Sequence, residues 1–180
     1  FDIASSGEIK LLQSAGVDLS RTIHTHPIKR PTEIHQAIAA GITTFVVDNE
    51  CELEKFEAYK GQVKLLLRLA FSNDDAKVDL SSKFGLQSSQ AFSFILNATM
   101  KGYNIDGISF HVGSQMSNNQ MYIAALEVCR EIFNELSEIG IQLKTIDIGG
   151  GFPFYAHQTR EDLFDFFNPI NQYLENYFSH

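Results

Sequence analysis

The sequence predicts an α/β fold, an incomplete TIM-type (β/α)8 barrel with about six β/α units in 180 residues. Three observations lead there. Strand-like and helix-like segments alternate six times, with no adjacent strand pair that resembles a hairpin; such alternation means a parallel sheet with helices outside. Residues 63–70 form an apolar run interrupted only by Lys64 and Arg68, the pattern of a strand covered on both faces. Polar residues also cluster at strand ends: Asp2 near the first, His24 and His26 after the second, and Asp48 after the third. Arg68 lies near the end of the fourth, His111 and Ser114 after the fifth, and Gly149, Gly150 and Gly151 after the sixth. An open doubly wound sheet would spread these groups along a line, whereas a barrel gathers all strand C-termini at one mouth. The barrel is the better reading.

The elements follow in order. Residues 1–4 read as a strand, and Ser5 or Ser6 caps a helix that runs to Ala15. Residues 22–26 are a short β-like run closed by Pro27. Pro31 opens a second helix at a position where its missing N–H costs nothing, and Gly41 ends it. Residues 42–47 are a buried strand, followed by Asp48 and a helix over about 50–59. After the strand at 63–70 comes a polar loop at 71–85, longer than most connections and therefore a functional candidate. A helix starting at Gln87 or Ser88 reaches Lys101, a strand covers 105–110, and a helix spans about 119–138 before Gly140. The strand at 145–148 leads into the glycines, and a last helix covers roughly 160–178.

Composition narrows the function. Hydrophobic residues make up 44% and charged residues 20%, ordinary values for a globular domain. The net charge of −8 carries no basic block, which excludes a nucleic-acid footprint. No apolar run approaches a membrane span and no secretory signal is present, so a cytoplasmic protein is expected. Cys51 and Cys129 share no metal or redox spacing and read as free thiols in a reducing compartment. His24, His26 and His35 form no defensible ligand set, and no metal is expected. A chain that opens inside a strand is expected to be a fragment of a larger barrel domain.

The most informative stretch is Lys144-Thr145-Ile146-Asp147-Ile148-Gly149-Gly150-Gly151-Phe152-Pro153, where a β-branched strand ends in three Cβ-free residues. Bare backbone lets several N–H groups point into one concavity and lets a ligand approach closely, which suits an anion such as phosphate. A tight turn without a ligand is the competing reading. The balance shifts because His111-Val112-Gly113-Ser114-Gln115 also directly follows an apolar strand.

Six motifs in order carry a family resemblance across nearly the whole chain. They are Phe1-Asp2-Ile3-Ala4-Ser5-Ser6-Gly7-Glu8, Pro27-Ile28-Lys29, Leu66-Leu67-Arg68, Ser82-Lys83-Phe84-Gly85, Ser109-Phe110-His111-Val112-Gly113-Ser114 and Asp147-Ile148-Gly149-Gly150-Gly151-Phe152-Pro153. Together they resemble the barrel domain of the fold-type III pyridoxal-phosphate decarboxylases, the ornithine, lysine, arginine and diaminopimelate group, related in fold to alanine racemase. The fifth and sixth motifs look closer to the ornithine branch than to the diaminopimelate branch.

The resemblance implies roles. His111 would lie flat against the pyridine ring, where a satisfied core histidine is the alternative. Ser114 and Gly151 would hold the cofactor phosphate by hydroxyl and backbone N–H, with Gly149 and Gly150 shaping the loop. Arg68 would donate to the ring's phenolic oxygen; a guanidinium paired near a strand end is its alternative. Asp2 and Glu8 match family acids near the cofactor-lysine region, although a carboxylate in a first helical turn is also favoured by the helix dipole. Lys83 resembles a family lysine that pairs across a homodimer, a solvated loop lysine being the alternative.

The implied activity is decarboxylation of a basic amino acid with pyridoxal 5'-phosphate: ornithine first, giving putrescine for polyamine synthesis, then lysine or arginine. In the family the cofactor-linking lysine precedes Phe1. The Glu-Pro-Gly-Arg type motif and a C-terminal β-domain with the proton-donating cysteine follow later, so these 180 residues alone are expected to be inactive. The rivals are a non-catalytic homologue that binds a regulatory protein, a diaminopimelate decarboxylase, and an unrelated phosphate-binding barrel lyase or isomerase.

Overall fold

The computed structural model describes residues 1–71, 83–154, 157 and 159–178. Its strands are β1 (Asp2–Ile3), β2 (Ile23–His24), β3 (Thr44–Val47), β4 (Lys64–Ala70), β5 (Leu86–Gln87), β6 (Ile105–Phe110) and β7 (Thr145–Asp147). Between and after them run α1 (Ser6–Ser14), α2 (Pro31–Ala39), α3 (Glu50–Glu54), α4 (Ser88–Met100), α5 (Gln120–Glu138) and α6 (Arg160–Phe178). All pairings are parallel, in the order β1-β2-β3-β4-β6-β7, with β5 on β4. The curled sheet is an incomplete barrel, as expected from six alternations.

The first three helices start where the sequence supplies a cap. Ser5 Oγ accepts the Glu8 N–H at 3.4 Å, and Glu8 Oε2 accepts the Ala4 N–H at 2.8 Å. Arg30 N–H reaches Glu33 Oε2 at 2.9 Å just before Pro31, and Asn49 Oδ1 accepts the Glu52 N–H at 2.9 Å. Reciprocal pairs of this kind satisfy donors that a helix leaves orphaned. The helices then bury one stripe: Ala91, Phe94, Ile95 and Ala98 on α4, and Tyr122, Ala125, Leu126, Cys129, Ile132 and Leu136 on α5. On β4, Leu65, Leu67 and Leu69 enter the core beneath the helices. The period-2 alternation puts Leu66 and Arg68 on the other, concave face.

The structure corrects three expectations. β5 is an additional strand: Leu69 pairs with Leu86 on one edge and with Phe110 on the other, so β5 continues the edge that β3 leaves at Val47. The single helix expected over 50–59 is α3 followed by a separate 3-10 turn at Glu57–Tyr59. His24, expected at the mouth, lies inside β2, is 1% exposed, and stacks on Phe45 at 5.9 Å. Of the long loop at 71–85, residues 72–82 lie outside the described residues.

Cys129 is fully buried, which pushes its thiol up to about 12, and Cys51 is exposed; both are free. No helix among the described residues is long and apolar enough to cross a membrane.

Candidate functional site

One row of the sheet organises the site. Arg68 of β4 pairs with Ser109 of β6, and Ser109 with Asp147 of β7. Partners in register project to the same face, so three polar side chains stand abreast on the concave surface. Asp147 uses both oxygens: Oδ2 accepts the Ser109 hydroxyl and Oδ1 the Gly149 N–H, each at 2.9 Å.

Arg68 is half-buried and has no carboxylate at ion-pair distance among the described residues. Burial pulls its pKa down from the ordinary value, while Asp48, Asp147 and Asp2 oppose that shift from around it. It remains a cation facing a cleft of about 400 Å³ that Asp2, Thr25, Ser109, His111 and Asp147 also line.

His111 follows β6 on the same face as Ser109. Its Nδ1 accepts the Gly113 N–H at 3.0 Å, which leaves the proton of the neutral ring on Nε2. Burial first, then the Arg68 charge, hold its pKa below the ordinary histidine value, with Asp147 and Asp2 opposing. The neutral ring is therefore the form present at neutral pH.

The glycine loop packs against this histidine. A Cβ on Gly151 would lie 1.8 Å from the Gly113 carbonyl oxygen and 3.0 Å from His111 Cε1, and its φ is +84°. Only glycine fits there. The loop is pinned from outside, where Gly151 O accepts the Met116 N–H at 2.8 Å and Gly150 O the Tyr122 hydroxyl at 2.9 Å. The N–H groups of Gly150 and Gly151 and the Ser114 hydroxyl find no partner among the described residues. Three free donors beside a cation and a flat neutral ring suit a phosphorylated aromatic group. A cleft of about 530 Å³ near Asn118, Asn119, Asp162 and Asp165 has no lysine or arginine among the described residues that line it and suits an anion poorly.

The structure thus brings Asp2, Arg68, His111, Gly149 and Gly150 to one cleft. Ser114 and Gly151 belong to two loops packed on each other beside it. Asp2 accepts the Thr25 hydroxyl at the rim. Glu8 closes the cap of α1, exposed and away from the cleft lining, with Ala4 N–H and the Ser5 hydroxyl holding its pKa low. Lys83 is exposed.

Sequence reasoning assigned no role to Thr25, Ser109, Asp147 or Phe84. For Ser109 a signal existed, since it stands two residues before His111, where strand alternation puts both side chains on one face. Nor did it anticipate Lys29. That side chain is fully buried, its Nζ donating to the carbonyls of His26, Pro27 and Val46 at 3.1, 3.0 and 2.6 Å, with Glu52 Oε2 at 3.5 Å.

A half-barrel with such donors at its strand ends is the kind of domain that suits a phosphorylated aromatic ligand. The chain belongs to the family of pyridoxal-dependent decarboxylases: the model of their pyridoxal binding domain matches residues 1–180. It is 36% identical over 179 residues to a lysine/ornithine decarboxylase of Selenomonas ruminantium, covering 99% of this chain and 46% of that one. It is 35% identical over 153 residues to antizyme inhibitor 2 of Xenopus laevis, covering 85% of this chain and 34% of that one. Among solved structures, the lysine/ornithine decarboxylase of Vibrio vulnificus complexed with putrescine superposes with a TM-score of 0.87 at 45% identity, over 97% of this chain and 46% of that one. The chain spans less than half the length of these relatives.

Proposed function

We propose that the full-length protein is a pyridoxal 5'-phosphate-dependent carboxy-lyase acting on a basic amino acid, with ornithine the first candidate and lysine or arginine next. The observation that carries this reading is a set of donors without partners among the described residues, Gly150 N–H, Gly151 N–H and the Ser114 hydroxyl, beside a neutral His111 and an Arg68 that meets no acid at ion-pair distance among those residues. They suit the phosphate, the ring face and the phenolic oxygen of one cofactor.

When bound, pyridoxal phosphate draws off the electron pair released as CO2 leaves. This chain's residues hold and orient. Ser114 and Gly151 anchor the phosphate, and Gly149 keeps the loop tight against Asp147. His111 covers one ring face, and Arg68 donates to the phenolic oxygen. Asp2 fixes Thr25 at the rim and, with Glu8, marks the side from which an upstream lysine would enter. Lys83 is proposed as a homodimer contact, and the protein as cytoplasmic.

Borohydride reduction of the yellow full-length protein should trap a pyridoxyl-lysine upstream of Phe1, and CO2 release should be fastest with ornithine. Release with diaminopimelate alone would overturn the substrate assignment. The similarity to antizyme inhibitor 2 supports a second reading, a non-catalytic protein-binding homologue. A colourless protein with no trappable lysine would favour it.

A further inference from the structure

We propose that Phe84 is a positioning residue for Arg68: its ring holds the guanidinium out toward the cleft instead of letting it close onto the surrounding carboxylates. The inference rests on the proposed contact between Arg68 and the cofactor's phenolic oxygen.

The acids around Arg68 are already occupied by neutral donors. Asp147 takes Ser109 and Gly149, and Asp2 takes Thr25. Asp48 takes the Asn49 amide at 2.7 Å and the Gly85 N–H at 3.0 Å. What meets the guanidinium is an aromatic face, with Arg68 Cζ 5.4 Å from the Phe84 centroid. That distance is within cation–π range, and a ring face steadies a cation without neutralising it.

Phe84 is itself fixed. Its ring meets His26 edge-on at 5.6 Å and 71°, and His26 Nδ1 lies 2.7 Å from the Ile28 carbonyl oxygen. Its backbone is locked by Gly85, which has φ +98° and sits so close to β4 that a Cβ would fall 2.6 Å from Ala70 N. The ring therefore stands where β5 takes over the β4 edge from β3, directly beside Arg68. Without it, Arg68 would be free to swing onto Asp48 or Asp147.

The test uses the full-length protein stripped of cofactor. Fluorescence quenching gives the Kd of pyridoxal phosphate and of its 3-deoxy analogue, which lacks the phenolic oxygen. The variants are Phe84→Leu, Phe84→Tyr, Arg68→Ala and the Phe84→Leu/Arg68→Ala double. Phe84→Leu should weaken pyridoxal phosphate about three- to tenfold and leave the analogue unchanged. Phe84→Tyr should restore affinity, and Phe84→Leu should add nothing to Arg68→Ala. Equal weakening of both compounds, or full additivity with Arg68→Ala, would overturn the proposal. Wild-type affinity in Phe84→Leu with weak binding in Arg68→Ala would overturn the role of Phe84 alone. Wild-type affinity in Arg68→Ala would overturn the Arg68 assignment and this inference with it.

Discussion

Ser109 of β6 donates its hydroxyl to Asp147 Oδ2 of β7 at 2.9 Å, and the other Asp147 oxygen holds the Gly149 N–H at the same distance. One carboxylate thereby ties the strand ladder to the first residue of the glycine loop. Ser109→Ala should cost about 1 kcal/mol of stability, the net worth of one hydrogen bond. Asp147→Ala should cost more, since it frees both a buried hydroxyl and the loop. Urea unfolding of the two variants measures the order, and a costlier Ser109→Ala would contradict it.

Gly151→Val should weaken pyridoxal phosphate binding about tenfold to a hundredfold, by forcing the loop off Gly113 and displacing the N–H proposed to hold the charged phosphate. Retention of cofactor through dialysis reads this directly. Unchanged retention would remove the phosphate assignment.

His111→Ala should loosen the cofactor through loss of the proposed stacking face. Acid should do the same in the wild type. As pH falls through the lowered His111 pKa, Nδ1 gains a proton and can no longer accept the Gly113 N–H. Cofactor affinity measured against pH should therefore decline only below the ordinary histidine range, and the decline should be absent in His111→Ala.

His24 is buried with both ring nitrogens unpartnered among the described residues, and burial lowers its pKa to about 4. Its folded-state value lies below its unfolded value, so the unfolded chain binds the proton more readily. Stability should fall as pH drops from about 6.5 toward about 4, by up to about 3 kcal/mol. Denaturant midpoints across that range should flatten in His24→Phe; an unchanged slope would exclude His24 as the cause.

Lys29→Met should destabilise by about 1–3 kcal/mol, because it releases three buried backbone carbonyls and one of the two lysines that meet Glu52, Lys55 staying on Oε1. Adding Glu52→Leu should recover part of that loss. Thermal unfolding of the single and double variants decides it.

The alternation of elements was legible because its signals are local. Continuous apolar runs, a cap at Ser5, Pro31 in a first helical turn, and glycines at helix ends declare themselves within a few residues. The six-motif resemblance pointed to Arg68, His111 and the glycine loop without any coordinates. β5 escaped notice because Leu86–Gln87 is a strand only by pairing with Leu69 and Ala70, and two residues carry no period. His24 was misplaced because polar character near a strand end does not say which face a side chain takes.

The sequence by itself determined an α/β chain of strand–helix repeats, a Gly-rich strand end and membership of a decarboxylase-like family, since periodicity, punctuation and motif order are properties of the chain. Only the tertiary structure decided that Arg68, Ser109 and Asp147 form one row, that Lys29 lies buried on three carbonyls, and that Phe84 faces Arg68. These depend on strand register and on contacts between segments distant in the chain. The packing of the whole sheet fixes them, and no local stretch encodes them.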